Sequence, residues 1–171
     1  MTTSSDRTVS RKAVRRAGDI LRSRGLRTGG ALEASMDVLS QWRQMHDQPA
    51  RVLESLVKKR IGELELRGAV TALRFKRTPS IVKKLIRFPN MQLDRMQDIG
   101  GIRVILANAG DLRRLHAAMT GRRCRHAALA PKDCIENPKA DGCRGIRQVF
   151  RYNSSSSRYG AMNGLQVEIQ F

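Results

Sequence analysis

Leu165-Gln166-Val167-Glu168-Ile169-Gln170-Phe171 alternates apolar and polar residues without a break. Side chains two apart share a face of a strand, so Leu165, Val167, Ile169 and Phe171 turn one way and Gln166, Glu168 and Gln170 the other. The stretch predicts a strand with one face on a core and an acid among polar neighbours on the opposite face. Working backward, Ile146–Tyr152, Gly101–Ala107 and Val70–Lys76 read as further strands, the last with Arg74 and Lys76 on one side. Asn153–Ser157 is a loop between the final two strands. Pro79 and Ser80 open a helix through Arg87, in which Ser80 is an N-cap or first-turn residue and Lys84 stands one turn along the same face. Asp111–Met119 is another helix. Ala31–His46, with Leu32, Met36, Leu39 and Trp42 at helical spacing, and Arg51–Leu66, with Val52, Leu53, Leu56, Val57 and Leu64 inward, are helices that serve packing. The expectation is an α+β fold, a mixed sheet of roughly five strands flanked by helices, with helices ahead of it.

The 171 residues suit one domain over 31–171, preceded by a basic segment, 1–30, that ends in the linker Thr28-Gly29-Gly30. That segment is rich in Ser and Arg like an organellar presequence, but Asp6, Asp19 and the lack of a strong apolar face favour a solvated, disordered arm or a surface helix. With 40% apolar and 4% aromatic residues the core is aliphatic. A net charge of +18 selects polyanionic partners: nucleotides, RNA or an anionic membrane face. No apolar run approaches the roughly 18 residues of a membrane helix. Cys124, Cys134 and Cys143 are spaced by ten and nine residues without Cys-x-x-Cys, which reads as free thiols in a reducing cytosol. Cys124 and His126 lie close together, but the set lacks zinc-site spacing.

Two carboxylates stand apart in a cationic array. Asp98 lies in Met96-Gln97-Asp98-Ile99-Gly100-Gly101-Ile102-Arg103 and Glu168 in the closing strand. Around them in sequence are Arg74-x-Lys76, Ser80-x-x-x-Lys84, Lys132-Asp133 and Pro138-Lys139-x-Asp141-Gly142. Two acids with many cations suit a Mg²⁺-bound triphosphate, the acids on the metal and the cations on phosphate oxygens. Taken singly, an Asp before a strand is usually a turn residue, a Ser at a helix start a cap, and surface cations are solvated. Their joint order is what points to chemistry.

That order closely resembles the RelA/SpoT synthetase domain. The blocks are Arg74-Phe75-Lys76 with Ser80-Ile81-x-x-Lys84-Leu85; Met96 to Val104; Lys132-Asp133-x-Ile135-x-x-Pro138-Lys139-x-Asp141-Gly142-x-Arg144; and Gly164-Leu165-x-Val167-Glu168-Ile169-Gln170. A weaker likeness reaches back to Ala31 through Gln41-Trp42-Arg43. The resemblance implies a nucleotidyltransferase-like fold of the small single-domain type, and a cytoplasmic enzyme that transfers pyrophosphate from ATP to the 3′-hydroxyl of GDP or GTP, making (p)ppGpp. By position, Arg74, Lys76, Ser80, Lys84 and Arg103 hold the ATP donor. Asp98 and Glu168 are the catalytic pair and coordinate Mg²⁺, and Glu168 helps deprotonate the attacking hydroxyl. Lys132, Lys139, Asp141, Cys143, Arg147 and Gln170 serve the acceptor. Small family members often oligomerise, so a second copy is among the partners implied, and a membrane is not. The metal-dependent hydrolase of larger members is excluded, because His46, His116 and His126 cannot assemble its site; His46-Asp47 reads as surface.

Three positions depart from the family pattern. Cys134 and Cys143 stand where the family has Tyr, the second of which stacks on the acceptor guanine, and Arg147 stands in place of a His. Losing an aromatic platform removes about 1–3 kcal/mol of stacking. The family pattern also continues beyond Phe171 into further helices, which leads to the expectation of a C-terminally truncated domain. Impaired acceptor binding follows for the leading reading. Two alternatives stay open: pyrophosphate transfer to tRNA 3′ ends, as in toxin-type relatives, and an inactive nucleotide- or RNA-binding remnant.

Overall fold

The computed structural model describes residues 8–23, 29–121, 124–138, 140 and 142–171. They fall into two compact units, one from Met1–Met45 with Lys76–Met96, the other from His46–Phe75 with Gln97–Phe171.

In the first unit the helices are α1 (Arg11–Arg22), α2 (Gly30–Met45) and α4 (Thr78–Arg87). Ser10 caps α1 by accepting from the Ala13 N–H at 3.2 Å. Val14, Ala17, Gly18 and Leu21 recur every three or four residues and form its buried stripe. A Cβ on Gly18 would stand 2.7 Å from Leu93 Cβ, so only glycine permits this approach. The Arg15 guanidinium reaches the nearly buried Asp94 carboxylate at 3.0 Å. Arg22 donates to the Leu85 carbonyl at 3.3 Å and to the Met91 carbonyl. Of the two expectations for this segment, a solvated arm or a surface helix, residues 11–22 form the helix, and it packs along one side because four of its small and aliphatic residues share one face. Residues 1–7 and 24–28 of that segment lie outside the described residues.

The second unit holds the sheet: β1 (Val70–Phe75), β2 (Gly100–Ile105), β3 (Ala127–Ala128), β4 (Lys132–Asp133), β5 (Ile146–Arg151) and β6 (Gln166–Gln170). Its order is β1-β2-β6-β5-β3, with β4 also pairing β5; β2 and β6 are parallel and the other pairs antiparallel. Two helices, α3 (Asp47–Glu63) and α5 (Ala109–Thr120), bring Ala50, Leu53, Val57, Leu112, Leu115 and Met119 into one core with Ile102, Val104, Ile146, Phe150, Val167, Ile169 and Phe171. The alternation of β6 is thus realised, with Val167 and Ile169 fully buried. At about 25 cal/mol per Å² the core side chains contribute roughly 1.5–3 kcal/mol each, which anchors the strand's facing.

Two glycines set the strand spacing. A Cβ on Gly101 would meet the Glu168 carbonyl oxygen at 2.9 Å, and one on Gly145 the Phe171 carbonyl oxygen at 2.1 Å.

Two readings of the sequence are corrected. His46 is buried, 1% exposed, rather than on the surface, because it sits at the entry to α3 and its Cβ lies 3.1 Å from where a Gly100 Cβ would be. Cys134 and Cys143 are a disulfide, not free thiols; Cys124 alone is free. The β4–β5 pairing of Lys132 with Arg147 and Asp133 with Ile146 folds the chain back on itself. The Cys134 N–H then donates to the Gly145 carbonyl at 3.0 Å, and the two cysteine Cα atoms stand 5.6 Å apart, within disulfide range.

Candidate functional site

The sheet face turned away from α3 and α5 carries the polar set. Register places Arg74 opposite Gly101 and Gly101 opposite Glu168, so these three occupy one row across β1, β2 and β6. With neighbouring strands about 4.8 Å apart, the Arg74 and Glu168 backbones are separated by roughly 10 Å, and only hydrogen stands on the α-carbon between them. The row two residues along reads Arg103, Gln170, Arg147 and Lys132 on β2, β6, β5 and β4. An acid and a neutral amide are thus set among four cations on one surface.

Side chains on this surface are linked. An Arg103 NH2 donates to Gln170 Oε1 at 3.1 Å, and Gln170 Nε2 donates to Glu168 Oε1 at 2.5 Å. Asp98 is half-buried in the turn that leads into β2, three residues before Gly101, the register partner of Glu168. Asp98 precedes the first residue of β2 by two positions, and Glu168, the central residue of β6, pairs with the second residue of β2. Two carboxylates and no sulfur or imidazole make a hard oxygen donor set, which fits Mg²⁺; such ions take one or two protein carboxylates and complete their shell with water and phosphate. Among the described residues no group of three or more His, Cys, Asp and Glu gathers for a metal, here or elsewhere, so the two carboxylates are the whole of the protein's donor set.

Three of the donor candidates lie in the other unit. Strand β1 ends at Phe75, so Lys76 stands beyond the strand rather than beside Arg74 on its face, and its carbonyl accepts from Arg43 Nε at 3.1 Å. Helix α4 starts at Thr78 with Pro79 in its first turn; no side chain caps it, and Ser80 is exposed in that turn, four residues before Lys84. Pro79 has no N–H, and the Ser80 and Ile81 N–H groups both donate to the Arg77 carbonyl, at 2.9 and 3.0 Å, so the Ser80 hydroxyl rather than a row of backbone amides is what this turn offers an anion.

On the acceptor side, Lys132 and Arg147 are exposed and paired in register. Asp133 Oδ1 accepts from the Ile135 and Glu136 N–H groups at 2.8 and 3.0 Å, and Arg113 stands 3.4 Å from its other oxygen. The Glu136 N–H first, then that of Ile135 and the Arg113 charge, hold this carboxyl below its usual range. Asp133 is therefore the residue that closes the turn after β4. Lys139 and Asp141 lie outside the described residues. The sulfur of Cys143 is committed to Cys134, leaving Cys143 on the rim of a cavity of about 420 Å³ that Arg103, Arg144, Arg147 and Gln170 also line. Arg144 is the member that residue-by-residue reading passed over, although Gly142-x-Arg144 lay inside a quoted block.

A family model described as "Region found in RelA / SpoT proteins" matches residues 73–171. No curated protein matches the chain. Among solved structures, small alarmone synthetase 1 from Bacillus subtilis bound to its product pppGpp is 22% identical, with a TM-score of 0.64 over 76% of this chain and 71% of that one. Small alarmone synthetase 2 from Bacillus subtilis is 20% identical, with a TM-score of 0.64 over 77% of this chain and 70% of that one. A GTP pyrophosphokinase family protein from Streptococcus pneumoniae is 20% identical, with a TM-score of 0.61 over 76% and 68%. At these identities the likeness to solved structures is one of fold.

Proposed function

The chain belongs to the RelA/SpoT family, and from that premise we propose that it transfers pyrophosphate from ATP to the 3′-hydroxyl of GDP or GTP. The observation that carries this reading is the polar sheet face, where Glu168 shares a row with Arg74 and neighbours the row of Arg103, Gln170, Arg147 and Lys132. In the reaction, the acceptor 3′-oxygen forms a bond to the β-phosphorus of ATP and the bond from that phosphorus to the α-phosphate oxygen breaks. AMP leaves, and the hydroxyl proton passes to the Glu168 carboxylate. Such transfer depends on alignment and charge neutralisation more than on covalent help. Arg74, Lys76, Ser80 and Lys84 are assigned to the donor phosphates and base, and Lys132, Lys139, Asp141 and Arg147 to the acceptor. Mg²⁺ held by Asp98 and Glu168 would neutralise phosphate charge when bound.

No described helix is long and apolar enough to cross a membrane. Substrates that are intracellular nucleotides go with a cytoplasmic location, where a disulfide exchanges with the thiol pool. Acceptor affinity is expected to be weak, since neither Cys134 nor Cys143 offers an aromatic face. A second acceptor, the 3′ end of tRNA, is supported by the net charge of +18 and the row of exposed cations.

The test is incubation of folded protein with ATP, Mg²⁺ and GDP or GTP, followed by separation of nucleotides, with a parallel arm offering γ-labelled ATP and tRNA. AMP with a tetra- or pentaphosphate product supports the leading reading, and label in tRNA supports the second. Neither product from a folded sample overturns both. Asp98→Ala and Glu168→Gln should each remove turnover.

A further inference from the structure

No step of the pyrophosphate transfer uses the Cys134–Cys143 bond, yet it sits among the residues assigned to the acceptor. Lys132 is two residues before Cys134, Arg144 follows Cys143, and Arg147 is the register partner of Lys132. Hydrogen bonds back the bridge at both ends. The Cys134 N–H donates to the Gly145 carbonyl at 3.0 Å, and Arg144 Nη1 donates to the Cys143 carbonyl at 2.9 Å. The bridge therefore fixes the backbone that carries Arg144. Each bridged residue also borders a cavity. Cys143, 9% exposed, lines the one of about 420 Å³ with Arg103, Arg144 and Arg147. Cys134, 2% exposed, lines another of about 520 Å³ with Asn108, Ile135, Pro138 and Arg144. Cavities of that size admit small molecules, and exchange of a disulfide depends on such access. Arg144 lines both cavities, and its charge favours a departing thiolate.

We propose that Cys134 and Cys143 form a reversible redox site that sets the affinity for the nucleotide acceptor. In the reducing step, a thiolate of a dithiol forms a bond to Cys143 Sγ, the bond to Cys134 breaks, and Cys134 leaves as a thiolate that takes up a proton. The dithiol's second sulfur then attacks the mixed disulfide, Cys143 leaves and is protonated, and the dithiol departs as its own disulfide. Two electrons and two protons have passed to the protein. In the oxidised form the bridge holds Lys132, Arg144 and Arg147 in one arrangement before the acceptor arrives. In the reduced form the acceptor itself must order them, which weakens binding. Ordering one or two such side chains corresponds to roughly 3- to 30-fold in affinity. Arg74 and Glu168 stand on β1 and β6, which the bridge does not join, so the ATP side is unaffected. The proposal rests on the reading of these cations as the acceptor's binding groups.

The experiment uses the full chain with Cys124→Ser, so that the bridged pair carries all the thiol chemistry. Folded protein is equilibrated in mixtures of reduced and oxidised dithiothreitol, and its thiols are counted without unfolding. Kd for a fluorescent GDP analogue and for a non-hydrolysable ATP analogue is then measured in each state, with no turnover needed. The thiol count should pass from zero to two and back. Kd for the GDP analogue should rise roughly 3- to 30-fold on reduction and recover on oxidation, with the ATP analogue within about twofold. The double variant Cys134→Ala, Cys143→Ala should bind as the reduced form does and ignore the reductant; the comparison of one polypeptide in two redox states stands even where that variant does not fold. A bridge that yields only on unfolding would overturn the proposal. So would a GDP-analogue affinity that is absent, unchanged or improved on reduction, or an equal shift for the ATP analogue. If redox-dependent binding is seen while wild type makes no product, the redox site stands and the enzyme reading falls. If product forms with the same acceptor KM in both states, the enzyme reading stands and the redox site falls.

Discussion

Reduction of the Cys134–Cys143 bond offers the sharpest test of the fold around the acceptor-side residues. The bond spans nine positions in sequence and joins two buried residues on either side of the turn after β4. Freeing that loop restores chain entropy to the unfolded state. For a closed loop of this length the entropy is near 9 cal/mol/K, so the oxidised form is expected to be more stable by about 2.6 kcal/mol at 25 °C. For a chain of 171 residues that corresponds to roughly 5–10 °C in Tm. The comparison should use one polypeptide in two redox states, with Cys124→Ser to prevent exchange, since Cys→Ser at the bridged positions would also bury hydroxyls. Thiol titration of unfolded, unreduced wild type should count one reactive sulfhydryl, and three after a dithiol reductant. Three before reduction, or oxidised and reduced proteins melting within a degree of each other, would refute the reasoning.

Other expectations follow from single contacts. Gly145→Ala places a methyl 2.1 Å from the Phe171 carbonyl oxygen, which pairs with the Ile146 N–H, so urea unfolding should show a loss of about 3 kcal/mol. Gly18→Ala forces Leu93 aside and should lower stability by about 1–3 kcal/mol. Burial first, and the Arg125 charge second, lower the His126 pKa from its ordinary 6.5. The unfolded chain then binds the proton more readily, so stability should be full above that value and fall as pH drops through it; His126→Phe, which can keep the stacking on Tyr152, should flatten that part of a stability–pH curve.

Much of the architecture was legible because it is written in short-range periodicity. The two-residue alternation of 165–171 predicted both the strand and its buried side, and Val167 and Ile169 are in the core as that pattern requires. The helices at 31–46 and 111–119 appear within two residues of their expected ends. Helix α3 begins earlier than expected, at Asp47, where Pro49 suits a first turn and Asp47 meets Arg51 at 2.7 Å. Strands β3 and β4 escaped notice because two residues show no period at all. The helix in the basic arm was legible only as one of two alternatives, and its buried stripe not at all, because Val14, Ala17, Gly18 and Leu21 are few and small among many cations.

By itself the sequence determined which residues are available and which side of a strand or helix each faces, because those properties depend on neighbours a few positions away. The order of the blocks also determined the family. Only the tertiary structure decided which residues meet: Arg103 with Gln170 across 67 positions, His46 behind Gly100, Cys134 with Cys143. Such pairings depend on strand register, and register is chosen by how the whole apolar face fills one core. A one-residue slip in β6 would bury Glu168 and expose Val167, leaving every local pattern in the chain unchanged.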